Sequence, residues 1–230
     1  MLTHMQRIVL SLGGSIIVPD DIQADFLKEF KKLLVDRFDT MQFVVFCGGG
    51  KTARRYQDGL TGTLENATSD QLDWVGIYSS HLNARFMQQV FGDDAEDVMI
   101  IDPTEEYPNA KPVLIGGGWK PGWSTDYDAV QFAVKNGIDR VVNLSNITHA
   151  YDKDPNQFDD AQPITEIAWP EFRKIVGDEW KPGLNMPFDP IASKLAEESG
   201  IEVVIADGTN LANLSAIIDG EAFEGTRIHS

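Results

Sequence analysis

The chain has 230 residues, of which 42% are hydrophobic, enough apolar material to bury one large α/β core. Nineteen Lys and Arg stand against 36 Asp and Glu, a formal net charge of −17, which excludes nucleic-acid binding driven by a basic surface. A single cysteine, Cys47, excludes an internal disulfide framework and a Cys-rich metal site. No apolar run reaches membrane-spanning length, and residues 1–6 lack the apolar stretch of a signal peptide, so we expect a cytoplasmic protein.

Residues 7–12 form a short apolar run ending in Gly13-Gly14-Ser15, which reads as a buried strand and a first glycine turn. Pro19-Asp20-Asp21 starts a helix expected to reach about Phe38, with Asp20 or Asp21 as N-cap. Met41–Cys47 is a second strand; it delivers Gly48-Gly49-Gly50, and residues 51–60 form the helix behind them. After a polar loop, Ser69-Asp70 caps a long helix to about Phe91, with Asp73, Gly76 and Asn83 on roughly one stripe. Residues 97–102 and 112–115 are further strands, the second feeding Gly116-Gly117-Gly118 and then Trp119-Lys120-Pro121-Gly122-Trp123.

Ser124 or Thr125 caps a helix over 126–136, and residues 139–144 are a buried strand ending at Ser145-Asn146. The pattern then turns polar, with a hairpin or loop at 151–155. A helix near Trp169–Val176 follows, then an exposed loop at 181–185, and Asp189-Pro190 opens a helix to 199. Residues 202–206 are a strand, 211–218 a helix, and 226–228 an edge strand.

Strands alternating with helices predict a mainly parallel central sheet with helices on both faces. Ligands of such sheets bind at the carboxyl ends of strands, and all three glycine clusters follow strands, so they should converge on one rim. The segment 43–54 shows how such a loop works. Three residues without side chains let backbone N–H groups approach an anion, and the following helix directs its positive end to the same place. It is not a Walker A loop, because Val45 stands where that motif needs glycine.

Three such loops are more than one phosphate requires and suit two phosphate-bearing ligands facing each other, that is, phosphoryl transfer. This chemistry needs cations, for which Lys51, Arg54, Lys120, Lys153, Lys181 and Lys194 are candidates. It also needs organising carboxylates, for which Asp126 and Asp189 are candidates beside their alternative role as helix caps.

Ser11-Leu-Gly-Gly-Ser15, Cys47-Gly-Gly-Gly-Lys-Thr-Ala-Arg54, Asp73-Trp-Val-Gly76, Leu82-Asn-Ala84, Ser124-Thr-Asp126, Asn146…Tyr151…Asp154-Pro155 and Asp189-Pro190 stand in a distinctive order. In that order and spacing the chain resembles the amino acid kinase superfamily, and within it the archaeal-type uridylate kinases. The resemblance implies a three-layer αβα sandwich forming a single domain over 1–230. An acceptor-binding lobe would span about 1–140 and an ATP-binding lobe about 141–230.

It also implies roles. Ser11, Gly13, Gly14 and Ser15 would wrap the transferring phosphate, Gly50 and Arg54 would contact ATP, and Ser145, Asn146, Tyr151 and Asp154 would form its adenosine pocket. Gly49 and Asp73 would contact UMP, the latter at the ribose. Trp119, Lys120, Pro121, Gly122, Trp123, Ser124 and Thr125 would hold its phosphate and base. Asp126 and Asp189 would organise the centre, Mg²⁺ would travel with ATP, and the assembly would be a hexamer built of dimers.

Three positions depart from relatives. Ser11 stands where many superfamily members have Lys, so Lys51 or Lys181 is expected to supply the charge. Asn146-Ile-Thr-His149 replaces an Asn-Val-Asp-Gly pattern, and His149 is expected on a solvent-facing loop. Trp119 stands where relatives often carry Thr, and would either stack on a base or fill the pocket. Two other readings stay open: a kinase of the same fold for another small phosphate, carboxylate or carbamate, and a non-catalytic nucleotide- or oxoanion-binding protein.

Overall fold

The structure, a computed structural model, describes residues 5–155, 157–179 and 186–230. The expected loop at 181–185 and the candidate cation Lys181 lie outside the described residues.

In chain order the elements are β1 (Gln6–Leu12), α1 (Gly14–Ile17), α2 (Ala24–Val35), β2 (Met41–Cys47), α3 (Gly50–Thr63), α4 (Ser69–Phe91), β3 (Ala95–Ile100) and β4 (Val113–Gly116). Then come α5 (Thr125–Asn136), β5 (Arg140–Ser145), β6 (Ala150–Tyr151), β7 (Pro163–Ile164), β8 (Glu166–Ala168), α6 (Trp169–Val176), α7 (Pro190–Ser199), β9 (Glu202–Asp207), α8 (Leu211–Asp219) and β10 (Thr226–His229). Eight strands form one sheet in the order β3-β4-β2-β1-β5-β9-β10-β8, and β6 pairs with β7 in a separate two-stranded ribbon. Only the β9–β10 pair of the large sheet is antiparallel, so the sheet is mainly parallel.

Alternation along the strands sets the layers. Leu10, Leu12, Phe43, Val45 and Cys47 face one core with Leu27, Phe30, Met87 and Leu214 from α2, α4 and α8. Val9, Val44 and Phe46 face the other core with Phe132, Phe172 and Ala192 from α5, α6 and α7. Because both faces are covered, these strands read as continuous apolar runs rather than alternating ones.

Three expectations are corrected. The helix after Pro19 starts at Ala24 with no side-chain cap, because Asp20 is engaged by Lys51 and Arg55 instead. The long helix is capped by Thr68, whose side chain and that of Gln71 form a capping box. β10 is not an edge: it lies between β9 and β8.

β1 is the central hinge of the topology. The chain builds β2 and then β3 and β4 on one side of it, and β5 and β9 on the other. The switch point therefore lies between β1 and β5, and the crevice at their carboxyl ends is where such a sheet binds ligands.

Candidate active site

A cavity of about 750 Å³ opens at that crevice, within the roughly 300–1,000 Å³ range of ligand pockets. Ser11 from the end of β1, Gly13, Gly14 and Ser15 from the first glycine turn, and Gly50 and Arg54 from α3 line it. Across from them lie Ser145, Asn146, Tyr151 and Asp154 from the segment after β5, and Thr125 and Asp126 form its edge at the start of α5. Every residue expected to contact ATP is thus brought to one cavity.

Two glycine loops meet at its floor. Gly50 has φ +60°, and a Cβ on Gly14 would sit 2.2 Å from the Gly50 nitrogen, so backbone passes directly against backbone here. The Gly48 N–H donates to Leu12 O (2.9 Å) and the Gly13 N–H to Leu144 O (2.8 Å), which ties both loops to the sheet.

Asp126 occupies the second position of α5, whose N-cap Ser124 accepts from the Tyr127 N–H. One oxygen, Oδ1, accepts from the Ser11 hydroxyl and from Asn143 Nδ2, both at 2.7 Å. Neighbouring atoms enclose the carboxyl on nearly every side, yet it keeps an edge on the cavity. Burial pushes its pKa from 3.8 to about 6; the Ser11 hydrogen bond opposes this, the charge of Asp189 adds to it, and Asn143 opposes it.

Asp189 is the N-cap of α7, with Oδ1 accepting from the Ile191 and Ala192 N–H groups at 2.7 Å each. Burial pushes its pKa up against those two N–H groups and the Ser124 hydroxyl. The sequence offered capping and catalysis as alternatives for Asp189; it caps the helix and also faces Asp126 electrostatically.

The third glycine loop is braced mainly by α4. The Gly118 N–H donates to Ser80 Oγ (2.8 Å), His81 Nε2 pairs with Gly118 O (2.7 Å), and the Gly122 N–H donates to Asp73 Oδ2 (2.9 Å). The same helix reaches the second loop, where Asn83 Nδ2 donates to Gly48 O (2.8 Å). At Gly49 a Cβ would lie 2.7 Å from that of Ala53, so α3 closes against this loop.

Trp119 does not stand free. Lys120 Nζ lies 3.6 Å from its ring centroid, and its ring stacks at 6.4 Å on Trp123, which stacks at 4.0 Å on Tyr127. Of the residues expected to hold UMP, Thr125 alone lines the ATP-side cavity. Lys120 and Pro121 belong to the adjoining loop, Asp73 holds it at Gly122 and Ser124 follows it, while Gly49 packs against α3 and α4.

Two expectations about charge change. Lys51 is not brought to the cavity: it is salt-bridged to Asp20 on the loop before α2. Among the described residues, the basic ones that line the cavity are Arg54, Lys153, Lys174 and His149. Lys153 pairs with Asp160 at 2.7 Å and Lys174 with Glu171 at 2.6 Å, whereas Arg54 has no carboxylate within ion-pair distance among the described residues. His149, expected to face solvent, is half-buried in the cavity wall because the chain turns inward to form β6.

The amino acid kinase family model matches residues 6–207, from the first strand to the end of β9. The chain belongs to the amino acid kinase family. It is 33% identical over 227 residues to a uridylate kinase from Methanobrevibacter smithii, covering 97% of this chain and 99% of that one. It is 32% identical over 221 residues to a uridylate kinase from Thermoplasma volcanium, covering 94% of each. The crystal structure of uridylate kinase from Archaeoglobus fulgidus superposes with a TM-score of 0.83 at 29% identity, covering 96% of this chain and 99% of that one.

Within this amino acid kinase, sequence reasoning missed Asn143, Lys174, Ser80, His81 and Asp128. Asn143 had a signal: it is the one amide in the apolar run Val141-Val-Asn-Leu, where burial demands a partner. Asp128 had none, since an acid in a first helical turn is ordinarily a dipole partner exposed to water.

Proposed function

We propose that the chain is a cytoplasmic uridylate kinase that transfers the γ-phosphoryl group of ATP to UMP. A phosphate oxygen of UMP attacks the γ-phosphorus in line and forms the new P–O bond. The bond to the β–γ bridging oxygen breaks, and UDP and ADP leave with no covalent enzyme intermediate. The observation that carries this reading is the end-to-end similarity to uridylate kinases. It is joined to a cavity whose edge, Thr125–Asp126, directly follows the loop expected to hold the acceptor.

In this reading Ser145, Asn146, Tyr151 and Asp154 hold the adenosine, and Gly13, Gly14, Ser15 and Gly50 cradle the phosphates. Arg54, which lines the cavity and has no carboxylate within ion-pair distance among the described residues, meets their charge. Lys153 and Lys174 also line the cavity, each already paired with a carboxylate, where Ser11 stands in place of the lysine of many superfamily members.

Mg²⁺ would come with the triphosphate, as the resemblance implies, and would supply charge neutralisation there. Among the described residues no group of three acidic, His or Cys side chains could hold a metal. Asp126, fixed by Ser11 and Asn143, orients the reacting groups rather than taking a proton. Asp189 holds α7 and faces Asp126. On the acceptor side Asp73 meets the ribose, Gly49 the nucleotide, and the loop from Trp119 to Thr125 the phosphate and base. The 1–140 part of the chain then serves the acceptor and the phosphates of ATP, and the remainder its adenosine.

A homo-oligomer, expected as a hexamer built of three dimers, is supported by α4. Trp74, Tyr78 and Leu82 recur every four residues and are 42%, 63% and 61% exposed, an apolar stripe that a second copy would cover. No helix among the described residues is long and apolar enough to cross a membrane.

Coupled ADP release measured with UMP, CMP, dTMP and isopentenyl phosphate as acceptors tests the assignment. UMP should be preferred; a preference for isopentenyl phosphate would move the protein to another acceptor class on the same fold.

A further inference from the structure

Asp128 has no part in the chemistry described so far, yet it is the most completely buried acidic group of the site. It is 0% exposed, in the first turn of α5, two residues after Asp126. One oxygen, Oδ2, accepts the Trp119 N–H at 3.0 Å, and the other, Oδ1, is buried with no partner among the described residues. A buried acid is costly unless it does something a leucine or alanine would not do. What Asp128 does is grip the first residue after the third glycine cluster.

We infer that Asp128 is a positioning residue for the acceptor: it fastens the loop from Trp119 to Trp123 to the helix that carries Asp126. The inference rests on the uridylate kinase reading for what the loop binds, though not for the contact itself. α5 then has two functional ends within one turn. Asp126 turns toward the cavity through Ser11 and Asn143, and Asp128 turns toward the acceptor loop. The two substrates are thereby referred to a single rigid element, which is what in-line transfer requires of its partners.

The remaining loop anchors do not duplicate this one. Ser80 and His81 hold Gly118 and Asp73 holds Gly122, all from α4, on the opposite side of the loop. Trp119 has a further tie on its indole side. Burial pushes the Asp102 carboxyl up, but Thr104 and the Trp119 indole outweigh it and leave that carboxyl below its ordinary value.

An acid whose burial favours its protonated form suits this role. Burial, opposed by the Trp119 N–H and reinforced by the charges of Asp126, Asp189 and Asp102, pushes Asp128 well above the usual carboxylate range. A neutral carboxyl still accepts the Trp119 N–H and adds no third negative charge where a triphosphate must approach. Asparagine reproduces that form closely: its amide oxygen accepts the same N–H.

The test compares D128N with D128A in the full-length protein. D128N should keep the acceptor KM within about twofold of wild type. D128A leaves the Trp119 N–H without its partner and should raise the acceptor KM about tenfold while the Kd for ATP changes less than twofold. Hydrogen exchange should accelerate in D128A at residues 119–123 and not at 143–151. The inference is overturned if D128A leaves the acceptor KM unchanged, if acceptor and ATP affinities fall together, or if D128N is as damaging as D128A. Should D128A fail to fold, exchange in wild type and D128N decides: a Trp119 amide protected in both supports the anchor, and one unprotected in wild type refutes it. A wild-type protein that turns over no UMP would sink the kinase reading while leaving the exchange result to stand.

Discussion

Replacing Asp126 with asparagine separates what this carboxylate does for the reaction from what it costs the fold. Its pKa lies at about 6 in the folded protein against 3.8 ordinarily. Between those two values the folded chain binds more protons than the unfolded chain, so stability falls as pH rises through the window. The gap corresponds to about 3 kcal/mol once the group is fully ionised. Asparagine keeps an oxygen for the Ser11 and Asn143 donors and removes the charge facing Asp189.

D126N should therefore be more stable than wild type by up to about 3 kcal/mol at pH 8, or about 6–12 °C in Tm for a domain of this size. The difference should shrink through pH 6 to 4 and vanish below about 3.8. Thermal unfolding at pH 8, 6, 5 and 3.5 measures it, and the same variant should lose at least about a hundredfold in kcat. A Tm gain that does not depend on pH, or no gain at pH 8, would refute the burial argument. Full activity would refute the catalytic one.

Other expected outcomes follow from the loops. G14A should lower stability by at least about 3 kcal/mol, because its Cβ would meet the backbone of Gly50 at 2.2 Å and no flexible side chain can yield; urea unfolding measures this. R54A should reduce kcat/KM for ATP about a hundredfold, since Arg54 lines the cavity without a carboxylate partner among the described residues. K51A should change it less than twofold, because Lys51 is paired with Asp20. Equal losses in the two variants would restore Lys51 to the site.

The legible parts of the sequence were those where one physical demand dominates. Buried parallel strands must be apolar on both faces, so β1, β2 and β5 stood out as unbroken runs ending in glycine or in Ser145-Asn146. Their carboxyl ends then located the cavity. What was not legible depends on which partner a side chain finds. Asp20 looked like a helix cap and Lys51 like a phosphate ligand, but the loop before α2 and the first turn of α3 bring them together. Asp128 drew no reading from the sequence, and its burial follows only from the packing of α5 against the third glycine loop. The glycines of the first two loops were read as anion cradles. Gly14 and Gly50 have a second reason to be small, visible only when the two backbones are seen to touch.

The most direct measurement of the central claim uses ATP carrying a labelled γ-phosphate, incubated with UMP and Mg²⁺ and followed by product analysis. The label should appear in UDP at the rate at which ADP forms, and none should remain covalently on the protein. ADP formation independent of UMP, or label transferred to no nucleotide, would contradict it.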